Sequence, residues 1–84
     1  MPAKAYVLIE TVVGESRQAA HALRLLSGIE SAAVVAGPYD IIAVAEAPDL
    51  HAIGELITRH VHSVKGVIRT ITCLSVGERR NPCR

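Results

Sequence analysis

Apolar residues recur in four short stretches of the chain, and each stretch has the length and composition of a β-strand. β-Branched and aliphatic side chains dominate in all of them, as is typical of strands. The predicted strands cover residues 5–11, 29–35, 41–47 and 67–75. In the first, Ala5, Val7 and Ile9 share one face, because successive side chains of a strand point to opposite faces.

Two segments between these strands carry apolar residues at helical spacing. The first stripe consists of Ala19, Leu23 and Leu26. The second consists of Leu50, Ile53, Ile57, Val61 and Val64. These stripes predict two helices, the first ended by Gly28 as its C-cap and the second begun by Asp49 as its N-cap and closed by Gly66.

The resulting order of elements is β-α-β-β-α-β in an 84-residue chain. The two halves echo each other, with Ser27-Gly28-Ile29 after the first helix and Lys65-Gly66-Val67 after the second. We therefore predict an α+β, ferredoxin-like sandwich, in which a four-stranded antiparallel sheet carries two helices on one face. Residues 1–76 form the single predicted domain, and residues 77–84, which lack apolar periodicity, are predicted to be a flexible tail.

Both faces of the predicted sheet are apolar. Two helices cover only one face of such a sheet, so a monomer needs polar residues at alternate strand positions. Leu8, Ile42 and Val44 stand at those positions instead. We therefore expect a second subunit to cover the free face in a two-fold dimer, giving a dimeric α/β-barrel-like assembly. The alternative is that short alanine-rich strands leave one face exposed.

Composition and charge argue against nucleic acids and membranes as partners. The net charge is +1, no long basic run occurs, and there are two tyrosines but no phenylalanine or tryptophan. Because nucleic acids are held by basic surfaces and by stacking on aromatic rings, we expect no direct nucleic-acid binding. The first apolar run is too short for a signal peptide or a membrane span, which predicts a cytoplasmic protein without membrane association. Cys73 and Cys83 form no CxxC motif and are expected to be reduced.

No residue pattern demands catalysis, a metal or a cofactor. GxSxG, P-loop, HExxH and GxGxxG motifs are absent from the sequence. His60 and His62 are two residues apart, a spacing that points them to different sides of a helix. His21 and His51 are expected to face solvent, one on each helix. Cys73 is expected to be a small apolar core residue of the last strand, and we predict a non-enzymatic protein.

The groups suited to binding a small molecule concentrate at two places. One is the turn Gly37-Pro38-Tyr39-Asp40, and the other is the pair Thr70 and Thr72 on the last strand. The turn offers backbone amides and a carboxylate, and the two hydroxyls share one strand face. If turn and strand meet, across a subunit boundary for example, they suit the ammonium and carboxylate of a free amino acid. The open alternative is that the proline and aspartate only shape a turn, and that the threonines are ordinary strand residues.

The same turn followed by Ile-Ile-Ala-Val, together with residues 65–72, resembles the ligand-binding half of the Lrp/AsnC transcription regulators. That half is often called the RAM domain, for regulation of amino acid metabolism. The resemblance covers residues 5–76, including the Ala-Tyr-Val-Leu-Ile start. Family members normally carry an N-terminal helix-turn-helix, whereas this sequence starts at the first strand, so it is similar to stand-alone RAM proteins without their own DNA-binding domain.

The resemblance implies dimers that form through their sheets and assemble into larger rings. It also implies that small effectors, typically amino acids, bind at contacts between dimers and modulate transcription regulators or amino acid metabolism. By resemblance, Gly37, Tyr39 and Asp40 lie at that contact, with Thr70 and Thr72 as weaker candidates. Full-length Lrp/AsnC regulators are implied as partners in mixed assemblies.

Two other function classes share this fold. A small dimeric α/β-barrel enzyme of the oxygenase or isomerase type is the alternative to a sensor, because fold alone does not fix function. Such enzymes resemble one another in having pockets lined by aromatic or histidine side chains, and the predicted strands contain no histidine. A metal-handling ferredoxin-like module would carry a cysteine pair or close histidines in a loop, and the sequence shows neither.

Overall fold

The computed structural model describes residues 2–77 and contains the predicted β-α-β-β-α-β order. Its elements are β1 (Ala3–Thr11), α1 (Ser16–Arg24), β2 (Ile29–Val34), β3 (Ile41–Ala47), α2 (Leu50–Glu55) and β4 (Val67–Leu74). The strands form one sheet in the order β2-β3-β1-β4, and every neighbouring pair is antiparallel. The predicted ferredoxin-like fold is confirmed. Residues 78–84 of the predicted tail, with Cys83, lie outside the described residues.

The core lies between the sheet and the two helices. The two central strands contribute the fully buried Ala5, Val7, Ile9, Ile41, Ala43 and Ala45. Against them pack the fully buried α1 residues Ala19, Ala20 and Leu23. Alanine on both layers lets helix and sheet approach closely, so a core without phenylalanine or tryptophan still excludes water.

The end of α1 differs from the prediction. The helix ends at Arg24 with Leu25 as its C-cap, so Gly28 is not the C-cap residue. Gly28 instead has a φ of +99°, and it turns the chain into β2. The predicted stripe continued to Leu26, which is half-buried beyond the helix end, where its N–H bonds to the carbonyl of Leu23. Periodicity alone does not distinguish this extra turn from helix.

The second helix begins as predicted, since the carboxylate Oδ1 of Asp49 accepts a hydrogen bond from the N–H of Ala52 at 2.8 Å. Beyond α2 the chain continues directly as a π-helical segment, Leu56–Val61. Of the predicted stripe, Ile53 and Val61 are buried as expected, whereas Leu50 is 60% exposed. The sequence pattern did not reveal the wider π-helical turn.

The face of the sheet away from the helices, called the open face below, is apolar as predicted. Leu8 pairs with Ile42 on one side and with Ile71 on the other, and Ala33 extends this row onto β2. The neighbouring row consists of Ser31, Val44, Tyr6 and Cys73. Charged residues border the two rows, with Glu10 opposite Arg69 at one end and Lys4 opposite Glu46 at the other.

The position of Cys73 corrects one prediction. It is exposed on the open face and is not a core residue. The reason is register: Cys73 pairs with Tyr6, whose side chain faces away from the helices, and β4 lies at the edge of the sheet. Its alternation with Thr72 therefore places the thiol on the open side.

Candidate functional site

The loop that contains the predicted binding turn spans residues 35–40 and joins β2 to β3. Its ends are held by a hydrogen bond of 2.9 Å from the N–H of Val35 to the carbonyl of Asp40. Gly37 and Pro38 are exposed, and Tyr39 is half-buried. Gly37 has no positive φ, and a Cβ at its position would meet nothing within 4 Å. The loop therefore presents open backbone, and Gly37 is not required there for an unusual backbone conformation.

Asp40 is fixed to β1 by two hydrogen bonds. Its N–H donates to the carbonyl of Ile9 at 2.9 Å, and its carboxylate Oδ2 accepts from the N–H of Thr11 at 2.8 Å. The β1–β3 pairing ends at Ile9 and Ile41, so no β3 backbone carbonyl pairs with the N–H of Thr11 two residues further along. The carboxylate of Asp40 supplies the acceptor there. Asp40 thus has a structural role, and the structure gives its second oxygen, Oδ1, no partner among the described residues.

The contact network continues from Thr11 to the first helix. Thr11 is a buried residue, 6% exposed. Its hydroxyl lies 2.9 Å from the hydroxyl of Ser16, the first residue of α1. Asp40, Thr11 and Ser16 therefore connect the loop to a strand end and a helix start. Sequence reasoning missed this chain of contacts, because 29 residues separate Asp40 from Thr11 and no local motif links them.

Thr70 and Thr72 share one side of β4, as predicted, and it is the side that faces the helices. Thr70 pairs with Ile9, and Thr72 pairs with Val7. The Thr70 hydroxyl lies 2.9 Å from Nε2 of His62, a contact that the sequence did not predict. Thr72 borders an apolar groove of about 420 Å³ between α2 and β4. The other described residues that line the groove are Leu50, Ile53, Gly54, Ile57, Thr58 and Leu74.

Within one chain the structure does not bring the two predicted groups together. β1 lies between β3 and β4, and Ile9 pairs with Ile41 on one side and Thr70 on the other. Two strand spacings, about 10 Å, therefore separate the loop from Thr70. A pocket formed by both groups would need a second subunit.

All four histidines are exposed, which the sequence predicted for His21 and His51. Within residues 2–77, no group of three or more histidine, cysteine, aspartate or glutamate side chains is arranged to hold a metal ion. Nor is any helix of this part of the chain long and apolar enough to span a membrane.

Comparison with known structures gives the same fold in small proteins of similar length. TTHA0845 from Thermus thermophilus is 26% identical with a TM-score of 0.87, and the match covers 94% of this chain and 99% of that one. PHS023, a hypothetical protein from Pyrococcus horikoshii, is 27% identical with a TM-score of 0.83 and 93% coverage of both chains. No sequence among curated proteins matches significantly.

A longer protein shares the fold as well. The transcriptional regulator NMB0573 from Neisseria meningitidis, solved as a complex with L-Met, has a TM-score of 0.82 at 17% identity. The match covers 94% of this chain but 53% of the regulator, so this chain spans about half the regulator's length. A family model described as the Lrp/AsnC ligand binding domain matches residues 4–81 of the 84-residue sequence. The chain belongs to the Lrp/AsnC ligand-binding domain family.

Proposed function

We propose that this protein is a non-catalytic sensor that binds an amino acid, works as a homo-oligomer and modulates transcription regulators or amino acid metabolism. The observation that carries the proposal is the position of Asp40 beside an exposed loop backbone. One carboxylate oxygen is held by Thr11, which fixes the direction of the group, and Oδ1 has no described partner. A carboxylate oriented before the ligand arrives loses little conformational freedom on binding.

The ligand in this proposal is an amino acid with both charged groups free. Its ammonium binds Oδ1 of Asp40, because an ammonium donates strong charge-assisted hydrogen bonds to a carboxylate. Its carboxylate accepts hydrogen bonds from the exposed backbone around Gly37. The complex of NMB0573 with L-Met supports this class of ligand, since that regulator shares the fold.

The proposed assembly is a dimer formed by two copies of the open face. Ile42 and Ile71 are 37% and 41% exposed, and they flank Leu8 in one continuous row. Contiguous apolar surface of this kind usually marks an interface. A two-fold arrangement buries the same row on both subunits and closes the assembly.

Dimers then associate into rings in this proposal, and the effector binds between them. Tyr39, which is half-buried in one chain, contacts the neighbouring subunit beside the loop. Thr70 or Thr72 of that neighbour supplies a hydroxyl to the site. The threonines of the same chain do not, because about 10 Å separates the loop from Thr70 within one chain. Full-length Lrp/AsnC regulators are the proposed partners, because their ligand-binding halves have the same fold and can enter the same rings.

A thermal-shift screen of the twenty amino acids tests the proposal, combined with mass measurement in solution with and without each ligand. Stabilisation grows with the logarithm of ligand concentration over Kd and reaches about 2.7 kcal/mol at a hundredfold excess. We expect one amino acid, or a small chemically related group, to raise Tm and to change the distribution of oligomers. No shift for any amino acid at millimolar concentration would contradict the proposal.

A further inference from the structure

Two arginines of α1 border a cavity that is separate from the loop of residues 35–40. Arg17 and Arg24 are seven residues apart, close to two helical turns, so they project from the same side of the helix. Together with Val34 of β2 they line a cavity of about 370 Å³. β2 is an outer strand of the sheet, so the cavity lies along a free edge.

The charges of these two arginines are not balanced by carboxylates within residues 2–77. Arg59 and Arg69 pair with glutamates at 2.8 and 3.0 Å, respectively. Arg17 has neither an ion pair nor a hydrogen bond to a described residue, and Arg24 has only a hydrogen bond from Nε to the carbonyl of Ala32, at 3.0 Å. That bond fixes the direction of the Arg24 guanidinium and leaves its terminal N–H groups for another acceptor.

The backbone of β2 adds a further donor at the same edge. The carbonyl of Ala32 accepts a hydrogen bond from Arg24 of α1, which shows that this carbonyl points away from β3. The N–H of Val35 points the opposite way, towards Asp40. Since backbone groups alternate along a strand, Val34 directs its N–H to the outer edge, beside the arginines.

We propose that Arg17, Arg24 and the N–H of Val34 form a binding site for a small molecule with a dianionic group, either a phosphoryl group or a pair of carboxylates. Neither guanidinium group forms an ion pair with a described carboxylate, so both present N–H donors whose positive charge complements that of a dianion. Guanidinium recognises oxyanions through paired hydrogen bonds. Binding of a dianion at this site requires no effector at the loop of residues 35–40. The failure of one proposal therefore does not decide the other.

An added peptide strand is the competing occupant of a free sheet edge. Strand addition requires the carbonyls and N–H groups of the edge to be open in succession. Arg24 already occupies the outward carbonyl of Ala32. A compact anion that fits between the arginines does not need that carbonyl, so the contacts favour a small molecule.

The test is a titration at constant ionic strength, followed through the arginine side-chain and backbone amide NMR signals. Inorganic phosphate and succinate are the two dianionic probes, chloride is the monovalent comparison, and an acidic peptide probes the free edge. In the wild-type chain we expect saturable shifts for phosphate or succinate, confined to Arg17, Arg24 and residues near Val34. Which of the two probes binds more tightly identifies the anionic group.

Arg17→Gln is the decisive variant, because Arg17 makes no described contact that the fold would lose. It should weaken the binding of the preferred dianion by roughly tenfold or more, as expected for loss of a charged hydrogen-bonding group. Arg59→Gln is the matched control, since Arg59 is also an exposed helical arginine, and its affinity should equal that of wild type.

Three results would overturn the proposal: no saturation by either dianion in the millimolar range, equal weakening by both variants, or binding of the acidic peptide alone at this edge.

Discussion

The carboxylate of Asp40 accepts a hydrogen bond from the backbone N–H of Thr11, at 2.8 Å and across 29 residues of sequence. This contact joins the β2–β3 loop to the end of β1. It means that the loop aspartate, predicted from sequence as either a ligand contact or a turn residue, has a structural partner outside the turn. The same contact leaves Oδ1 available for a ligand, so the structural role and the proposed binding role are compatible.

Replacing Asp40 with alanine should measure the structural part of its role. Asp40→Ala leaves the N–H of Thr11, a residue 6% exposed, without its acceptor, and such a loss costs about 1–3 kcal/mol. Denaturant unfolding at a fixed protein concentration gives the change in the free energy of unfolding. Asp49→Ala is the comparison, since it removes only the cap of α2 and should cost about 1 kcal/mol. An unchanged free energy of unfolding for Asp40→Ala would show that the Thr11 contact contributes nothing.

Two glycines should respond to alanine with opposite signs. Gly28 has a φ of +99°, and a Cβ there would lie 3.0 Å from Cδ2 of Leu56, so Gly28→Ala should destabilise the fold by about 1–3 kcal/mol. Gly54 lies within α2 with nothing within 4 Å of its Cβ position, so Gly54→Ala should stabilise it by about 0.5–1 kcal/mol. Melting curves of both variants check the pair. Equal effects of the two substitutions would contradict this account of the turn before β2.

The open face should tolerate a charge in the folded monomer but not in the proposed dimer. Ile42→Lys places an ammonium in the row that includes Leu8, so it should shift the dimer to monomers while the circular dichroism spectrum stays that of the folded protein. Val13→Lys is the control, because Val13 is 98% exposed and lies outside the sheet. Light scattering measures the mass of each variant. A wild-type protein that is already monomeric at micromolar concentration would remove the basis for this interface.

Much of the fold was predictable because hydrophobic periodicity is a local signal. The two predicted glycine helix ends were wrong, since α1 ends at Arg24 before Gly28 and the second helical segment ends at Val61 before Gly66. The bounds of β3 coincide with the predicted residues 41–47, and the Asp49 cap was identified from its place before an apolar stripe. The π-helical segment Leu56–Val61 was not predictable, since apolar residues four apart are compatible with either helix type. Cys73 was misassigned because the sequence does not specify which face of an edge strand the core will cover.

The candidate site was predictable only in its parts. The residue types of the loop indicated donors and a carboxylate, but the bond from Thr11 to Asp40 depends on how β1 and β3 align. The contact between His62 and Thr70 joins a helix end to a strand, and no spacing rule connects them. Whether a second subunit completes the proposed pocket depends on assembly, which the sequence of one subunit does not encode in a local pattern.

In the proposed sensor Asp40 binds the ammonium of an amino acid effector, and a substitution that removes only the charge of Asp40 tests this contact. Asp40→Asn keeps an oxygen that can accept from the N–H of Thr11, while it removes the charge. The measurement is calorimetry of wild type and Asp40→Asn with the amino acid that gives the largest thermal shift, alongside both melting curves. Asp49→Asn, which makes the same chemical change at the cap of α2, is the control. We predict that Asp40→Asn melts close to wild type but loses about 2–5 kcal/mol of binding free energy, whereas Asp49→Asn binds normally. Equal affinity of Asp40→Asn and wild type would contradict the claim.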